Sequence, residues 1–316
     1  MSVSAAEIER AAQVIRAGGL VGMPTETVYG LAASALDARA VLRIYTTKGR
    51  PRFDPVIVHV ADAEQAWTLC EPSARARRLA QACWPGPLTM ILPRTALVPD
   101  IVTSGLETVA VRVPDHPVAL ALIRAAGPLA APSANPFGQI SPTTAAHVSE
   151  QFLASQVLVL DGGACRVGIE SSVLRVDPPL LLRPGGYSRE ALSGILGEAV
   201  ALSDREQRAA AVAMPSPGML ASHYAPRTPL RLRSGAIPAG ERFAYLSWAG
   251  IDIPPQAHAV EVLSTALDLA EAATRLFAAL RRLDDASARS IICELVPDEG
   301  LGEGVNDRLR RAAGLG

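Results

Sequence analysis

Lysine is nearly missing from this sequence. Of its 30 basic residues 29 are arginine, and the single lysine, Lys48, sits within TTKGRPRFDP. Arginine is a planar fork and lysine a compact point charge on a flexible stem, so a site that needs the second would resist replacement by the first; the plainer reading is chance survival. Asparagine is almost as scarce, with only Asn135 and Asn306. The four cysteines, Cys70, Cys83, Cys165 and Cys293, lie far apart without a CxxC pair. That argues against a disulfide or zinc framework and for reduced, mostly buried thiols in a cytoplasmic protein. No apolar run approaches the roughly 20 residues that span a bilayer, and MSVSAAEIERAA lacks a basic-then-apolar signal. A net charge of −1 gives no global field for nucleic acid or an anionic membrane. There is no Walker loop, no GxSxG elbow and no zinc-spaced His/Cys/Asp cluster.

What is present points to a soluble globular chain. At 316 residues, with 49% hydrophobic and 19% charged, two domains are expected. Ser4 and Glu7 have capping-box spacing for a first helix that Gly18 and Gly19 would end. Up to about residue 200, short apolar strands (LVGMP, PVIVHV, LTMILP, TVAVRVP, PLAAPSAN, QVLVLDGG, SSVLRV, LLLRPGG) alternate with helical stretches. LAASALDARAVLRIY reads as helix, centred near 37–47, and SPTTAAHVSEQFLA as another, with Ser141 as N-cap and Pro142 at its first position. This is an α/β pattern, a helix-covered sheet of mixed pairing. Residues 205–231 carry Pro, Gly and Ser without an apolar period and read as a linker. Residues 232–316 form a small α/β domain, in which GLGEG at 300–304 reads as a turn rather than a phosphate loop.

The chemistry gathers where strands end. PTETVYG, KGRPRFD, APSANPFGQISP, GIESS and LLRPGG each place polar side chains after an apolar run. In open α/β sheets such loops converge on a ligand crevice. Together they offer Thr25, Thr27, Lys48, Arg50, Arg52, Ser133, Asn135, Ser141, Ser171 and Arg183, while His59 and Arg112 interrupt otherwise apolar strands. A buried charge or imidazole there needs a partner or a ligand. His59 as a satisfied core histidine and Arg112 as a structural ion pair are the plain alternatives. Rich in cations and hydroxyls, the set suits an anionic ligand bearing phosphates or carboxylates.

In this order, PTETVYGLA, KGRP, PVIVHV, WPGPLT, TVAVRVP, APSAN, ISPT, DGG, GIESSV and LLRPGG closely resemble the YrdC-like family. SPGM…HYAP and the small last domain resemble its long, two-domain form, the threonylcarbamoyl-AMP synthases. The resemblance implies a twisted mixed sheet with helices around a concave cavity in residues 1–204, a linker or lid over 205–231, and a Rossmann-like C-terminal domain over 232–316. It implies condensation of L-threonine, bicarbonate and ATP, with magnesium, into threonylcarbamoyl-adenylate and pyrophosphate. Partner proteins would then transfer the group to the tRNA adenosine beside the anticodon. By motif position, Thr27, His59, Arg112, Ala131 and Ser171 would hold threonine. Arg50, Asp54, Thr108, Ser133, Asn135, Ser141, Arg183 and Tyr224 would hold ATP or the adenylate, with Lys48 and Arg50 catalytic. Thr27 would hydrogen-bond the substrate, and Gly30 would let the chain turn closely into the next helix.

One departure stands out. Asp54 occupies the place of a usual asparagine, and an ionised carboxylate cannot donate a hydrogen bond. Beside phosphates it would repel unless magnesium or an arginine lay between. The rivals are a double-stranded RNA module of the same fold, opposed by the neutral charge, a hydrogenase-maturation carbamoylation domain, opposed by the missing zinc motifs, and an inactive scaffold. Pro215, Pro217, Pro226 and Pro229 stiffen the linker, which is expected to fold over the cavity and bring Tyr224 to the nucleotide.

Overall fold

The computed structural model describes residues 3–203, 223–234, 240 and 242–315. The first helix, Ala5–Arg16, has its expected capping box, with Ser4 N donating to Glu7 Oε2 at 2.8 Å and Glu7 N to Ser4 Oγ at 3.3 Å. Helix Ala38–Lys48 begins at Asp37, whose Oδ1 accepts from Arg39 N at 2.8 Å, and stops at Gly49 in the left-handed region. That stop reverses the chain and turns Arg50 back toward the sheet.

Two local expectations fail for physical reasons. LAASA is not helix: Gly30–Ser34 is a strand, antiparallel to Leu20–Met23 on one side and Leu129–Ala130 on the other. Pairing on both edges outweighs the helix preference of alanine and leucine. Gly30 therefore opens a strand rather than a turn into helix, and a Cβ there would stand 3.1 Å from Ala131 Cβ. Ser141 is likewise no N-cap. The helix is Ala145–Ser149, capped by Thr144, whose hydroxyl accepts from His147 N at 3.3 Å.

Among the described residues the main sheet has ten strands. Edge to edge these are Ala201–Leu202, Leu180–Arg183, Ser172–Arg175, Leu88–Pro93, Thr108–Arg112, Val58–His59, Leu129–Ala130, Gly30–Ser34, Leu20–Met23 and Val157–Val159. Parallel and antiparallel pairs mix. The pair that matters most is Val58–His59 beside Thr108–Arg112: they run parallel, in a register that sets His59 opposite Arg112.

The smaller sheet is wholly parallel, in the order Leu230–Leu232, Ser290–Cys293, Phe243–Ser247, Ala259–Val262. Helices Leu269–Asp284 and Gly302–Ala312 accompany it, the second starting within GLGEG. Loops of the larger part enter the core of the smaller one, where Val28, Ile140 and Ile169, with Tyr224, are buried with Leu276, Phe277, Leu280 and Val305. Gly168, at φ 78°, makes the contact close, because a Cβ there would lie 2.3 Å from Thr274 Cα. All four cysteines are free and buried, and no described helix is long and apolar enough to cross a membrane.

Candidate active site

Strand ends and loops from the main sheet meet at one cavity of about 50 Å³. It is lined by Thr25, Thr27, Arg50, His59, Arg112, Ala131, Ser133, Ser171, Arg183 and Tyr224, with Glu170 and His223 among the rest. Ten of the residues singled out from sequence thus come together. Lys48, Asp54, Thr108, Asn135 and Ser141 are not among its lining.

Arg112 is the anchor of one side. Its Nη2 lies 2.7 Å from Glu26 Oε1, its Nη1 donates to Thr27 Oγ1 at 2.9 Å, and its Nε donates to Gly86 O at 3.2 Å. The Thr25 and Thr27 hydroxyls stand 2.9 Å apart, and Thr25 Oγ1 donates to Val28 O at 2.6 Å. PTETVYG carries a carboxylate because the buried guanidinium of Arg112 requires one, and hydroxyls because that pair needs further partners. His59, opposite Arg112, has its pKa pushed down to about 3 by burial and then by the Arg112 charge. Its imidazole is neutral.

Arg183 and Ser171 form the facing wall. Arg183 Nε and Nη2 donate to the Ser171 carbonyl at 3.2 and 3.0 Å, and Ser171 Oγ lies 2.8 Å from Thr89 Oγ1. Burial, and then the charge of Arg308, lowers the pKa of Arg183. His223 is held well below its ordinary pKa by burial and by the charges of Arg50, Lys48, Arg311 and Arg183. The field here is positive.

Asp54 is neither a solvated loop carboxylate nor a metal-facing one. It is wholly buried, with Oδ1 2.8 Å from Arg50 Nη2, so the arginine is what stands between it and the cavity. Arg50 also donates to Asp54 O at 3.0 Å and Pro55 O at 2.8 Å. Lys48, expected beside a triphosphate, instead points its ammonium at the carbonyls of Ser133, at 2.5 Å, and Asn135. Asn135 closes its own loop, donating to Pro136 O at 2.8 Å and Gln139 O at 2.9 Å. Thr108 begins the strand that ends at Arg112, which sets it at the far end of that strand. Ser141 Oγ donates to Glu170 Oε1 at 2.5 Å.

Tyr224 lies at the cavity wall and is buried, with its ring 5.7 Å from that of Phe277 and 4.2 Å from that of His223. It is also one of the few non-glycine residues at positive φ, 63°, a conformation held in place by its surroundings. Most of the expected lid, its residues 205–222, lies outside the described residues. Glu26 stood out from sequence only as the carboxylate of PTETVYG, without an assigned role, and Glu170 and Arg308 were not singled out.

Among the described residues no three His, Cys, Asp or Glu side chains come together as a metal cage. Each carboxylate near the cavity faces an arginine: Glu26 with Arg112, Asp54 with Arg50, Glu170 with Arg308. This donor set does not fit a resident magnesium ion, which favours uncommitted carboxylate oxygens.

The sequence family described as "Telomere recombination" matches residues 13–185. That described as "Threonylcarbamoyl-AMP synthase, C-terminal domain" matches 187–314. Threonylcarbamoyl-AMP synthase of Pyrococcus abyssi is 41% identical, over 98% of this chain and 94% of its own. That of Bacillus subtilis is also 41% identical, over 99% and 95%. The chain belongs to the threonylcarbamoyl-AMP synthase family. A crystal structure of P. abyssi Sua5 complexed with L-threonine superposes with a TM-score of 0.92 at 39% identity, over all of this chain and 96% of that one. In this chain the cavity draws on both matched regions, Thr25 to Arg183 from the first, His223 and Tyr224 from the second.

Proposed function

We propose that the chain condenses L-threonine, bicarbonate and ATP into threonylcarbamoyl-AMP and pyrophosphate. The reading rests on family membership and on one observation: the Arg112 guanidinium, fixed by Glu26 and Thr27, stands opposite a neutral His59 inside a cationic cavity. Arg112 offers a carboxylate anchor for threonine. His59, uncharged, gives the amino end a hydrogen-bond acceptor without adding another cation. Thr27 and Ser171 supply hydroxyls from the two facing walls.

The threonine nitrogen, as free amine, attacks the carbon of bicarbonate; a C–N bond forms and water leaves, giving a carbamate. A carbamate oxygen then attacks the α-phosphorus of ATP, and the bond to pyrophosphate breaks. Arg50 and Arg183 neutralise the phosphates, and positioning supplies most of the rate. No side chain acts as a covalent nucleophile. Magnesium arrives with the triphosphate as part of the ATP substrate.

A cavity of about 50 Å³ is smaller than a nucleotide needs, since small-molecule sites span roughly 300–1,000 Å³. His223 and Tyr224 would therefore shift as ATP enters and then close over it, keeping water from a hydrolysable adenylate. In this division of labour the 1–204 domain would hold the substrates, Tyr224 of the 205–231 linker would cover them, and the 232–316 domain would brace Tyr224. Downstream transferase proteins would carry the group to tRNA, and the neutral charge gives no support to the rival RNA-binding module. Pyrophosphate release tests the reading: it should require ATP, threonine and bicarbonate together. Release undiminished when threonine is omitted would contradict it.

A further inference from the structure

We propose that Arg308, on the C-terminal helix Gly302–Ala312, is a positioning residue for the nucleotide half of the active site. The proposal rests on the synthase reading above. Arg308 is completely buried, although its helix belongs to the small domain. Its Nε donates to Glu170 Oε2 at 2.9 Å, and the other oxygen of Glu170 accepts from Ser141 Oγ at 2.5 Å. Its Nη1 donates to the carbonyl of Pro184, next to Arg183, and to Gly304 O at 3.3 Å. Its guanidinium also stacks 5.4 Å from the centre of the Tyr224 ring. One side chain therefore holds Glu170, the segment that carries Arg183, and Tyr224, all three of which meet at the cavity.

The backbone is shaped for this approach. A Cβ on Gly304 would stand 3.3 Å from Gly185 Cα and 2.9 Å from Ile169 Cδ1, and a Cβ on Gly185 would stand 2.3 Å from Glu170 O. Both glycines let the helix reach LLRPGG and GIESS. As interdomain adhesive the arrangement is poor, because a buried ion pair is often no better than apolar residues of the same volume. Its return is orientation. The fork can grip Glu170 with one edge and the Pro184 carbonyl with another while its face lies on Tyr224, which a lysine or an apolar side chain cannot do. Another pair across the same seam, Arg189 with Glu303 at 2.7 Å, is more open, and neither of its residues lines the cavity.

The test uses the full chain, as wild type and as Arg308→Gln, Arg308→Lys, Glu170→Gln, the Arg308→Gln/Glu170→Gln pair, and Arg189→Gln. Threonine affinity is read by calorimetry without nucleotide, and kcat and KM for ATP by threonylcarbamoyl-AMP formation. Arg308→Gln should raise KM for ATP by tenfold or more while threonine affinity stays within twofold. Adding Glu170→Gln should make it little worse, because the two act as one unit. Arg189→Gln should leave both parameters unchanged even where it lowers the melting temperature. If Arg308→Gln does not fold, Arg308→Lys carries the test, with a KM for ATP raised at least threefold. Either variant with a wild-type KM for ATP, or with equal losses toward ATP and threonine, overturns the proposal. A wild type that makes no threonylcarbamoyl-AMP overturns the synthase reading and this inference with it. An active wild type matched by Arg308→Gln overturns this inference alone.

Discussion

Replacing Lys48 by methionine keeps most of the side-chain length and removes the charge. Its ammonium is buried and donates to the carbonyls of Ser133 and Asn135, on the loop that closes one side of the cavity. Hydrogen bonds from a charged donor contribute about 1.5–3 kcal/mol each, and a buried carbonyl left without its partner costs about 1–3 kcal/mol. Burial of the ammonium offsets part of this: desolvation, then the Arg50 charge, pulls its pKa well below the ordinary lysine value, against Asp54. A net loss of about 2–4 kcal/mol remains once that offset is included. At roughly 2–4 °C per kcal/mol for a domain of this size, the melting temperature should fall by about 5–15 °C. Lys48→Arg should not rescue it, because a larger, planar group overpacks a sealed site at about 1–3 kcal/mol. Calorimetry gives the melting temperature, and amide exchange across residues 133–139 should accelerate in step, with KM for ATP rising as the loop loosens. A methionine variant that melts within about 2 °C of wild type, with the loop equally protected, would refute the clamp.

Three more outcomes follow from buried charge. Arg112→Gln strands Glu26, so stability should drop by about 3–5 kcal/mol and threonine binding should vanish; Glu26→Gln in the same chain should restore stability but not binding. Recovery of both by the double variant, in denaturant titration and calorimetry, would contradict the anchor role. His59 has its folded pKa at about 3, below the ordinary 6.5 or so, so the unfolded chain binds the extra proton and stability is lost as pH falls from about 6.5 toward 3. At pH 5 that group alone accounts for about 2 kcal/mol, so the urea midpoint of wild type should fall more steeply with acid than that of His59→Gln, and equal slopes would count against it. Asp54→Asn removes the partner of Arg50 rather than a metal ligand, so KM for ATP should change while the magnesium concentration for half-maximal rate stays within about twofold, and a larger shift in that titration would restore a metal role.

The main sheet was legible because its strands are short apolar runs bounded by turns. His59 and Arg112 were legible because each interrupts such a run, and the register then sets them side by side. The helix reading of Gly30–Ser34 failed because alanine and leucine suit either state, and pairing from strands remote in sequence decides between them. Ser141-Pro142 has the look of a helix start, yet Thr144 caps the helix and Ser141 serves Glu170. Lys48 was rightly marked as unusual, but its target is a pair of main-chain carbonyls, which no side-chain pattern encodes. Arg308 stayed hidden for a related reason: in an arginine-rich helix of a second domain, nothing local separates buried Arg308 from half-buried Arg310.

The most direct measurement is the fate of labelled bicarbonate. With ¹³C-bicarbonate, L-threonine and ATP, mass spectrometry of the purified protein's reaction should find one ¹³C in threonylcarbamoyl-AMP, one pyrophosphate per product, and no product when any substrate is left out. Pyrophosphate formed without a labelled adenylate, or a labelled adenylate formed equally well by Arg112→Gln, would contradict the account.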